Sequence, residues 1–429
     1  MLRGTGRHMS RWAINRRPTS VGNRERASGA TFASLKHRNY RLWFAGQLVS
    51  LFGTWMQATA QGFLVFQLTH SPAYLGYVGF ASGMPTWVLM LYGGVVADRV
   101  PRRTLLVSTQ TLMMALAFVL AFLTFTGHVQ PWHVAALAGA LGVANAFDAP
   151  ARQAFVVDLV PRENLTNAIA MNSTMFSTAT ALGPALAGVT YAAFGPAWCF
   201  TINGISFLAV IAALLMMNLE VRPDSSRARR ADAELREGIQ YTLSHPPVRM
   251  LVVIVGMISL FGVSVGTLIP AWAVKILHGN ATTNGLLQSA RGVGAVGSAL
   301  LIAALGGGIR RGSLLTLGTV VLPLTILAFA VVASPLLSLV VLAAVGAAMV
   351  LIMNLANAMV QAQVPDALRG RVMSIYSLVF FGAMPLGALW VGAAAERIGE
   401  PRTVMVNAAV LVILAAAMRT AAPWLREME

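Results

Sequence analysis

Long runs without a charged residue constrain this chain more than any other feature of its sequence. No Asp, Glu, Lys or Arg occurs in residues 42–97, 104–147, 164–219 or 312–365. The shortest of these runs has room for two membrane-spanning helices of about 20 residues each, and each run has a turn sequence near its middle. Only 11% of the 429 residues are charged, too few to cover the surface of a soluble protein of this length. The chain is therefore predicted to be an integral membrane protein.

Four further apolar segments have room for one span each, at 250–274, 276–309, 372–395 and 403–418. The four pairs and the four single spans predict twelve transmembrane helices and an all-α fold. A polar stretch divides them six and six, and within it 229–243 has the spacing of an amphipathic surface helix. The predicted units are a disordered basic cytoplasmic tail (1–31), an N-terminal six-helix bundle (32–219), a cytoplasmic linker (220–247), a C-terminal six-helix bundle (248–420) and a cytoplasmic tail (421–429).

Lys and Arg are distributed unevenly between the two sides that this topology defines. One side holds 27 of the 31, including those of the 98–103 loop and of both tails. The other side holds Lys275, Arg397 and Arg402, and Arg291 lies within a span. Because cytoplasmic loops carry the excess of basic residues, the loop and both termini are predicted to be cytoplasmic. This topology accounts for the net charge of +16 and argues against a nucleic-acid partner.

The two halves of the chain resemble each other at an offset of 204 residues. Apolar matches arise easily by chance in membrane proteins, but aligned glycines without a gap do not. Two parallel six-helix repeats around a central cavity are typical of transporters. The matching residues include Gly142 and Gly346, Gly188 and Gly392, Gly195 and Gly399, and Asn203 and Asn407.

A charged loop interrupts the apolar runs at 93–106, GGVVADRVPRRTLL. It resembles the signature loop of the major facilitator superfamily, G-x-x-x-D-R-x-G-R-R, although Pro101 stands at the second Gly. The matching residues are Gly94, Asp98, Arg99, Arg102 and Arg103. Residues 147–173 and 365–380 are most similar to the bacterial exporter branch that includes enterobactin exporters and macrolide-type drug:proton antiporters. The resemblance extends from Phe32 to Arg419 and implies a multi-pass protein of the bacterial inner (plasma) membrane.

The resemblance also implies a gate at the cytoplasmic side. When that side is closed, Asp98 is expected at the N-terminus of the eleventh helix, near Gly370. Its Arg neighbours are expected to reach Asp148, at the cytoplasmic end of the fourth helix and four residues before Arg152. The segment GPALAG (183–188) is similar to the antiporter motif of the fifth helix, and Gly183, Pro184 and Gly188 are its candidate hinge residues.

Candidate cavity residues come from polarity, depth and helix number. The first span has a polar stripe at Gln47, Ser50, Thr54, Gln57 and Gln61, with spacings of three and four. Such a stripe faces either a water-filled cavity, which we favour, or a neighbouring helix. Depth and helix number add Phe261, Met353, Tyr376 and Phe380.

Arg291 is the one basic residue predicted within a span. It lies ten residues from Ala281, or about 15 Å along a helix, which is half the thickness of the bilayer core. No acid is expected at that depth. Its guanidinium is therefore predicted to bind either an anionic part of a substrate or backbone carbonyls of a neighbouring helix.

The favoured function is alternating-access export of an amphipathic small molecule, such as a drug, an antibiotic or a siderophore-like compound. Proton antiport is implied by the resemblance, although all fifteen acids are expected in tails, loops or helix ends and Asp148 is the nearest candidate. The alternatives are an importer or lysolipid-type facilitator of the same fold, a non-transporting sensor, and a membrane-bound transferase, for which no catalytic cluster is found. We expect a monomer without enzymatic activity, cofactor or metal, with the lone Cys199 chemically inert.

Overall fold

Helices make up nearly all of the described chain. The computed structural model describes residues 32–218, 231–305, 310–422 and 424. The predicted N-terminal tail, residues 220–230 of the linker and most of the predicted C-terminal tail lie outside the described residues. The α-helices, in chain order, are α1 (Arg38–Thr69), α2 (Pro72–Arg99), α3 (Arg102–Phe125), α4 (Pro131–Leu159), α5 (Leu165–Phe194), α6 (Pro196–Met216), α7 (Ala231–Ser244), α8 (Pro246–Phe261), α9 (Ile269–Lys275), α10 (Ala281–Leu305), α11 (Arg311–Val331), α12 (Pro335–Gln363), α13 (Asp366–Ile398) and α14 (Glu400–Ala421).

Proline and glycine set many of the helix boundaries. Proline is the first residue of α2, α4, α6, α8 and α12, where its missing N–H costs no helical hydrogen bond. Gly195 and Gly399 each separate two helices and have φ values of +89° and +85°, which side chains disfavour. The chain therefore reverses direction between α5 and α6, and between α13 and α14, at one residue.

Ten spans are long and apolar enough to cross a membrane, as judged by length and composition. Two further long helices, α1 and α5, have 32 and 30 residues but are more polar. They occupy the places of the first and fifth predicted spans, so the count of twelve stays a prediction while the all-α, multi-pass fold is confirmed. The seventh span is not one regular helix. It consists of α8, a 3₁₀ segment at Val263–Leu268 and α9.

The residues paired by the repeat occupy equivalent places in the two halves. Gly142 of α4 lies against the carbonyl of Ser82 in α2, and Gly346 of α12 lies against the carbonyl of Arg291 in α10. The two asparagines are also equivalent, because each ties the last helix of its half to the first. The amide of Asn203 donates to Oε1 of Gln57 at 2.7 Å, and that of Asn407 donates to the carbonyl of Phe261 at 2.9 Å.

The halves meet at one end of the bundle. We call the end with the 98–103 loop the basic face and the other end the opposite face. Near the opposite face α2 contacts α13 through Gly76 and Gly392, where a methyl group on Gly76 would lie 2.7 Å from the carbonyl oxygen of Ala388. On the other side of the bundle α5 contacts α10 through Gly188 and Thr282. Because these residues are small, the backbones of the two halves lie in direct contact there.

The linker helix α7 contacts the C-terminal half at the basic face. Gly238 lies against the backbone of Arg371, and the Arg371 guanidinium pairs with Glu237. The sequence predicts an apolar face of this helix at Leu235, Ile239 and Leu243. That face differs from the one that makes these contacts. Ile239 and Leu243 are exposed, and the side chain of Leu235 lies outside the described residues. The apolar face of α7 is therefore turned away from the bundle.

Candidate gates and binding site

Hydrogen bonds between the halves are confined to one part of the bundle. Among the described residues there are five of them, and all lie between mid-depth and the opposite face. The indole N–H of Trp87 in α2, about 18 Å from the helix end at Arg99, donates to the carbonyl of Leu378 at 3.0 Å. The others join Ser71 and Ala73 to Glu396, Ala185 to Ser289, and Thr282 to Gly188. The two halves are thus bonded at the opposite face and not at the basic face.

Two signature arginines at the basic face are used within the N-terminal half. Arg102, the first residue of α3, pairs with Asp158 at 2.7 Å and also donates to the carbonyl of Ala154. Arg103 donates to the carbonyls of Leu215 and Met217 at the end of α6. The expected pairing of Arg102 with Asp148 is therefore not formed. The reason is depth, because Asp148 lies ten residues, or about 15 Å, deeper in the bundle than Asp158, which is next to the C-terminal end of α4.

The acid of the signature loop makes no polar contact with the part of the chain that the structure describes. Asp98 and Arg99 are exposed, and no ion pair or hydrogen bond of the Asp98 carboxylate is formed with the described residues. Gly370, its expected neighbour in α13, is also exposed and has open space beside it. The predicted contact between Asp98 and the start of α13 is therefore absent from this structure, in which the basic face is open.

Asp148 lies much deeper in α4 than its sequence context indicates. The helix continues to Leu159, so Asp148 is about 16 Å from the helix end and 1% exposed. Its Oδ1 accepts hydrogen bonds from Thr109 at 2.9 Å and from Gln110 at 2.8 Å, both in α3. Nε of Arg152 lies 3.7 Å from its Oδ2. The expectation that all acids lie near helix ends is wrong for this residue.

The residues of the polar stripe of α1 differ in exposure and in their contacts. Gln57 is buried and bonds to Asn203, while Gly53 on the same side lies against Asn203 and Ser206 of α6. Gln57 therefore joins α1 to α6 and does not face a cavity, which is the alternative that the sequence left open. Thr54 is exposed, although its hydroxyl donates to the Ser50 carbonyl. The remaining members, Gln47, Ser50 and Gln61, are buried.

The four apolar candidates belong to the C-terminal half. Phe261, Met353 and Phe380 are half-buried and pack against the core of that half. Tyr376 is a member of the core itself, and its hydroxyl donates to the Met353 carbonyl at 3.1 Å. Tyr376 is thus placed as a structural residue, while the three half-buried side chains stay predictions for the cavity.

Arg291 occupies a notch in the broken seventh span. A methyl group on Gly266, in the 3₁₀ segment, would lie 1.9 Å from Nη1 of Arg291, so the guanidinium rests directly on the Gly266 backbone. Neither an ion pair nor a hydrogen bond of this guanidinium is formed with the described residues. The alternative in which neighbouring carbonyls satisfy Arg291 is therefore not seen here. The described residues thus supply no anion to this half-buried cation.

Two of the three hinge candidates, Pro184 and Gly188, lie at the contact between the halves. Gly188 touches α10, and the carbonyl of Pro184 lies beside Gly285. Pro184 interrupts the hydrogen bonding of α5, and the N–H of Ala185 donates to Ser289 of α10 at 2.8 Å. Gly183 lies instead against Trp55 of α1. Close packing is evident at all three residues, and their role as a hinge stays a prediction.

A family model described as transmembrane secretion effector matches residues 29–429. The chain belongs to this family. It is a branch of the major facilitator superfamily, whose members are transporters and not enzymes, so those two expectations are confirmed. The protein is thus a multi-pass membrane transporter of small molecules.

Several relatives in the family span nearly the whole chain. The staphyloferrin A transporter of Staphylococcus aureus is 24% identical over 85% of this chain and 91% of its own length. Macrolide efflux protein A of Streptococcus pyogenes is 22% identical, with 89% and 96% covered. The enterobactin exporter EntS of Citrobacter koseri is 25% identical, with 88% and 90% covered.

Solved structures share the fold at low sequence identity. The nucleoside transporter NupG aligns with a TM-score of 0.68 at 14% identity, covering 90% of this chain and 98% of its own. A bacterial homologue of the lysosomal transporter Spinster, in an inward-facing and occupied conformation, aligns with a TM-score of 0.69 at 14% identity, covering 90% and 97%. These similarities show the major facilitator fold.

Sequence reasoning missed three residues of these gates: Asp158, Trp87 and Glu396. Asp158 was detectable, because a carboxylate at the end of α4 is level with Arg102 at the start of α3. No sequence signal marks Trp87, whose indole donates across the two halves. Glu396 lies next to Arg397, and in the sequence that residue serves only to predict the topology.

Proposed function

We propose that this transporter is a secondary-active exporter, which moves an amphipathic small molecule by alternating access in exchange for protons. The observation that carries this proposal is the asymmetry of the bundle. Among the described residues, hydrogen bonds join its halves toward the opposite face and none joins them at the basic face, where Asp98 and Gly370 are exposed. An alternating-access transporter loaded from the basic side requires such a state. The siderophore exporter and macrolide efflux relatives support this class of cargo.

The distribution of basic residues supports the direction of export. With 27 of the 31 Lys and Arg on the basic face, that face is cytoplasmic, as are both termini. The membrane is then the bacterial inner membrane and the open side faces the cytoplasm. The protein acts as a monomer, because each six-helix half has its partner in the same chain.

Arg291 is proposed to bind an anionic or strongly electronegative part of the cargo. An Arg in a membrane span is costly unless it faces water or a partner, by about 2.5–3.5 kcal/mol on insertion scales. The support is the guanidinium in the Gly266 notch, which has no anionic partner among the described residues. Arg291→Lys keeps the charge but loses the planar fork, whereas Arg291→Gln removes the charge. Cargo binding should weaken in both, and more in the Gln variant, at unchanged thermal stability. Normal binding in both variants would exclude this role.

Asp148 is proposed to carry the coupled proton. It is a buried carboxylate near the middle of a span, with two hydrogen-bond donors and a nearby Arg, and acids inside a helix bundle are typical of the proton relays of transporters. Within the described residues the other acids lie in the linker helix α7, near the ends of the spans or in the connections between helices.

An efflux assay tests the proposed function. Cells that lack their own pumps are loaded with a fluorescent amphipathic anion, a macrolide or a catecholate siderophore, and its loss is followed with and without a protonophore. We expect efflux that requires this chain and stops with the protonophore. Uptake into empty cells would favour the importer, and no flux of any compound would favour the sensor. Efflux that ignores the protonophore would leave export standing and exclude proton coupling.

A further inference from the structure

Helices α2 and α13 run antiparallel across the contact between the halves, and each carries an acid near its C-terminal end. Asp98 of α2 lies at the basic face, and Glu396 of α13 lies at the opposite face. In this structure only Glu396 is engaged. Its Oε2 accepts a hydrogen bond from the Ser71 hydroxyl at 2.6 Å and another from the Ala73 N–H at 3.3 Å. A carboxylate of one half thus caps the first turn of a helix in the other half.

The start of α2 requires such an acceptor. The first N–H groups of a helix have no partner within it. Ser71 occupies the N-cap position, but its side chain makes no capping bond to its own helix. Pro72 has no N–H, so that of Ala73 is the first to need an acceptor. A negative charge at this end is also favoured by the helix dipole.

The contact between Gly76 and Gly392 brings Glu396 within hydrogen-bond distance of Ser71. Gly392 lies one turn before Glu396 in α13, and a methyl group there would be 2.8 Å from both the Pro72 carbonyl oxygen and the Gly76 Cα. The two backbones touch at this level, so the short distance to Ser71 is available only while the halves are closed at the opposite face. Separation of the helices by a few ångströms breaks both hydrogen bonds.

Among the described residues, no ion pair joins Glu396 to another charged residue of this face. Lys275 pairs with Glu400 at 2.8 Å, within the C-terminal half. Arg397 is exposed, and among the described residues it forms no ion pair with Glu396. Among the described residues, the Glu396 carboxylate therefore makes its polar contacts with Ser71 and Ala73 at the start of α2.

We propose that Glu396 is the latch of the opposite face, and that it alternates with Asp98 at the basic face. The Glu396 bonds form when the opposite face closes and break when it opens. In the present state Asp98 has no polar partner among the described residues, and in the other state it would cap α13. The inference rests on the alternating-access part of the proposed function, and it assigns to Glu396 a gating role that the sequence does not reveal.

Distance measurements between spin labels test the latch without any cargo. A variant with Cys199→Ala is labelled in pairs, one at residues 128 and 333 for the opposite face and one at 163 and 310 for the basic face. These positions are exposed, and each pair joins the two halves. Glu396→Ala should raise the ratio of opposite-face-open to closed molecules by about 2- to 5-fold, the size expected from a charge at a helix N-terminus. The basic-face pair should show a matching gain of short distances.

Three variants separate the latch from a merely structural role. Ser71→Ala should shift the same ratio in the same direction, and the double variant should shift it no more than Glu396→Ala alone. Glu396→Gln keeps an acceptor but loses the charge, so its shift should be intermediate. Glu400→Gln, the control, removes a carboxylate at the same face that pairs within one half, and it should leave the ratio unchanged. Unchanged distances in Glu396→Ala, or equal shifts in Glu400→Gln, would overturn the latch. Because the distances need no cargo, these results do not depend on whether the protein exports.

Discussion

The notch at Gly266 offers a way to test the role of Arg291 without changing Arg291. A methyl group at residue 266 would lie 1.9 Å from Nη1, so the guanidinium must move by about 1.5 Å to reach ordinary contact. The donor–acceptor distance of a charge-assisted hydrogen bond is about 2.8 Å and varies by only a few tenths of an ångström. The displaced guanidinium should lose one such bond to an anionic cargo, worth about 1.5–3 kcal/mol. We therefore expect Gly266→Ala to raise the Kd for cargo about tenfold or more.

The assay is direct binding to purified protein in detergent, together with a thermal melt. The melting temperature should stay close to that of the wild type, because the atom in the way is the end of a flexible side chain. Gly297→Ala is the matched control. Gly297 lies in the same helix as Arg291 and has open space beside it, so binding should not change. Wild-type affinity in Gly266→Ala, combined with lost affinity in Arg291→Gln, would show that the notch does not position the guanidinium. Wild-type affinity in both would refute the anion site.

Three other variants follow from the same structure. Asp98→Asn should leave the melting temperature unchanged, because Asp98 is exposed and has no partner among the described residues. It should lower transport and increase the fraction of molecules with the basic face open, and normal transport would count against the cytoplasmic gate. Asp148→Asn should abolish the dependence of efflux on the pH gradient while Asp158→Asn does not, and gradient-driven efflux in the first would move the proton site elsewhere. Gly346→Ala should lower the stability by about 1–3 kcal/mol, because its methyl group would lie 2.0 Å from the Arg291 carbonyl oxygen; an unchanged melt would contradict the packing.

The sequence predicts the helices and the repeat well because both depend on local properties. A span needs only a sufficient run of apolar residues, and proline and glycine mark its ends. The repeat could be recognised because glycines at helix contacts tolerate no side chain. Gly142 and Gly346 lie against carbonyl groups in equivalent places, and this shared constraint preserves the spacing of 204 residues.

The sequence fails where the answer depends on a neighbour. A stripe with helical spacing shows that its residues share one face of α1, but it does not show whether that face contacts α6 or lines a cavity. In the structure, Gln57 contacts α6. The end of a charge-free run is likewise not the end of a helix. The run stops at Phe147, whereas α4 continues to Leu159, so Asp148 lies deep in the helix and Arg102 pairs with Asp158. The break in the seventh span, on which Arg291 rests, also has no simple signature.

The contrast between the two kinds of contact explains how such a bundle can move. Within each half, large side chains such as Trp43 and Trp272 are fully buried, and buried asparagines tie the outer helices to the inner ones. Between the halves, glycine, alanine and proline make backbone contacts, supplemented by five hydrogen bonds among the described residues. At a net of about 1 kcal/mol each, these five bonds contribute only about 5 kcal/mol to closure. The halves should therefore stay rigid while the contact between them opens, and a latch of the size expected for Glu396 shifts the balance between the two states.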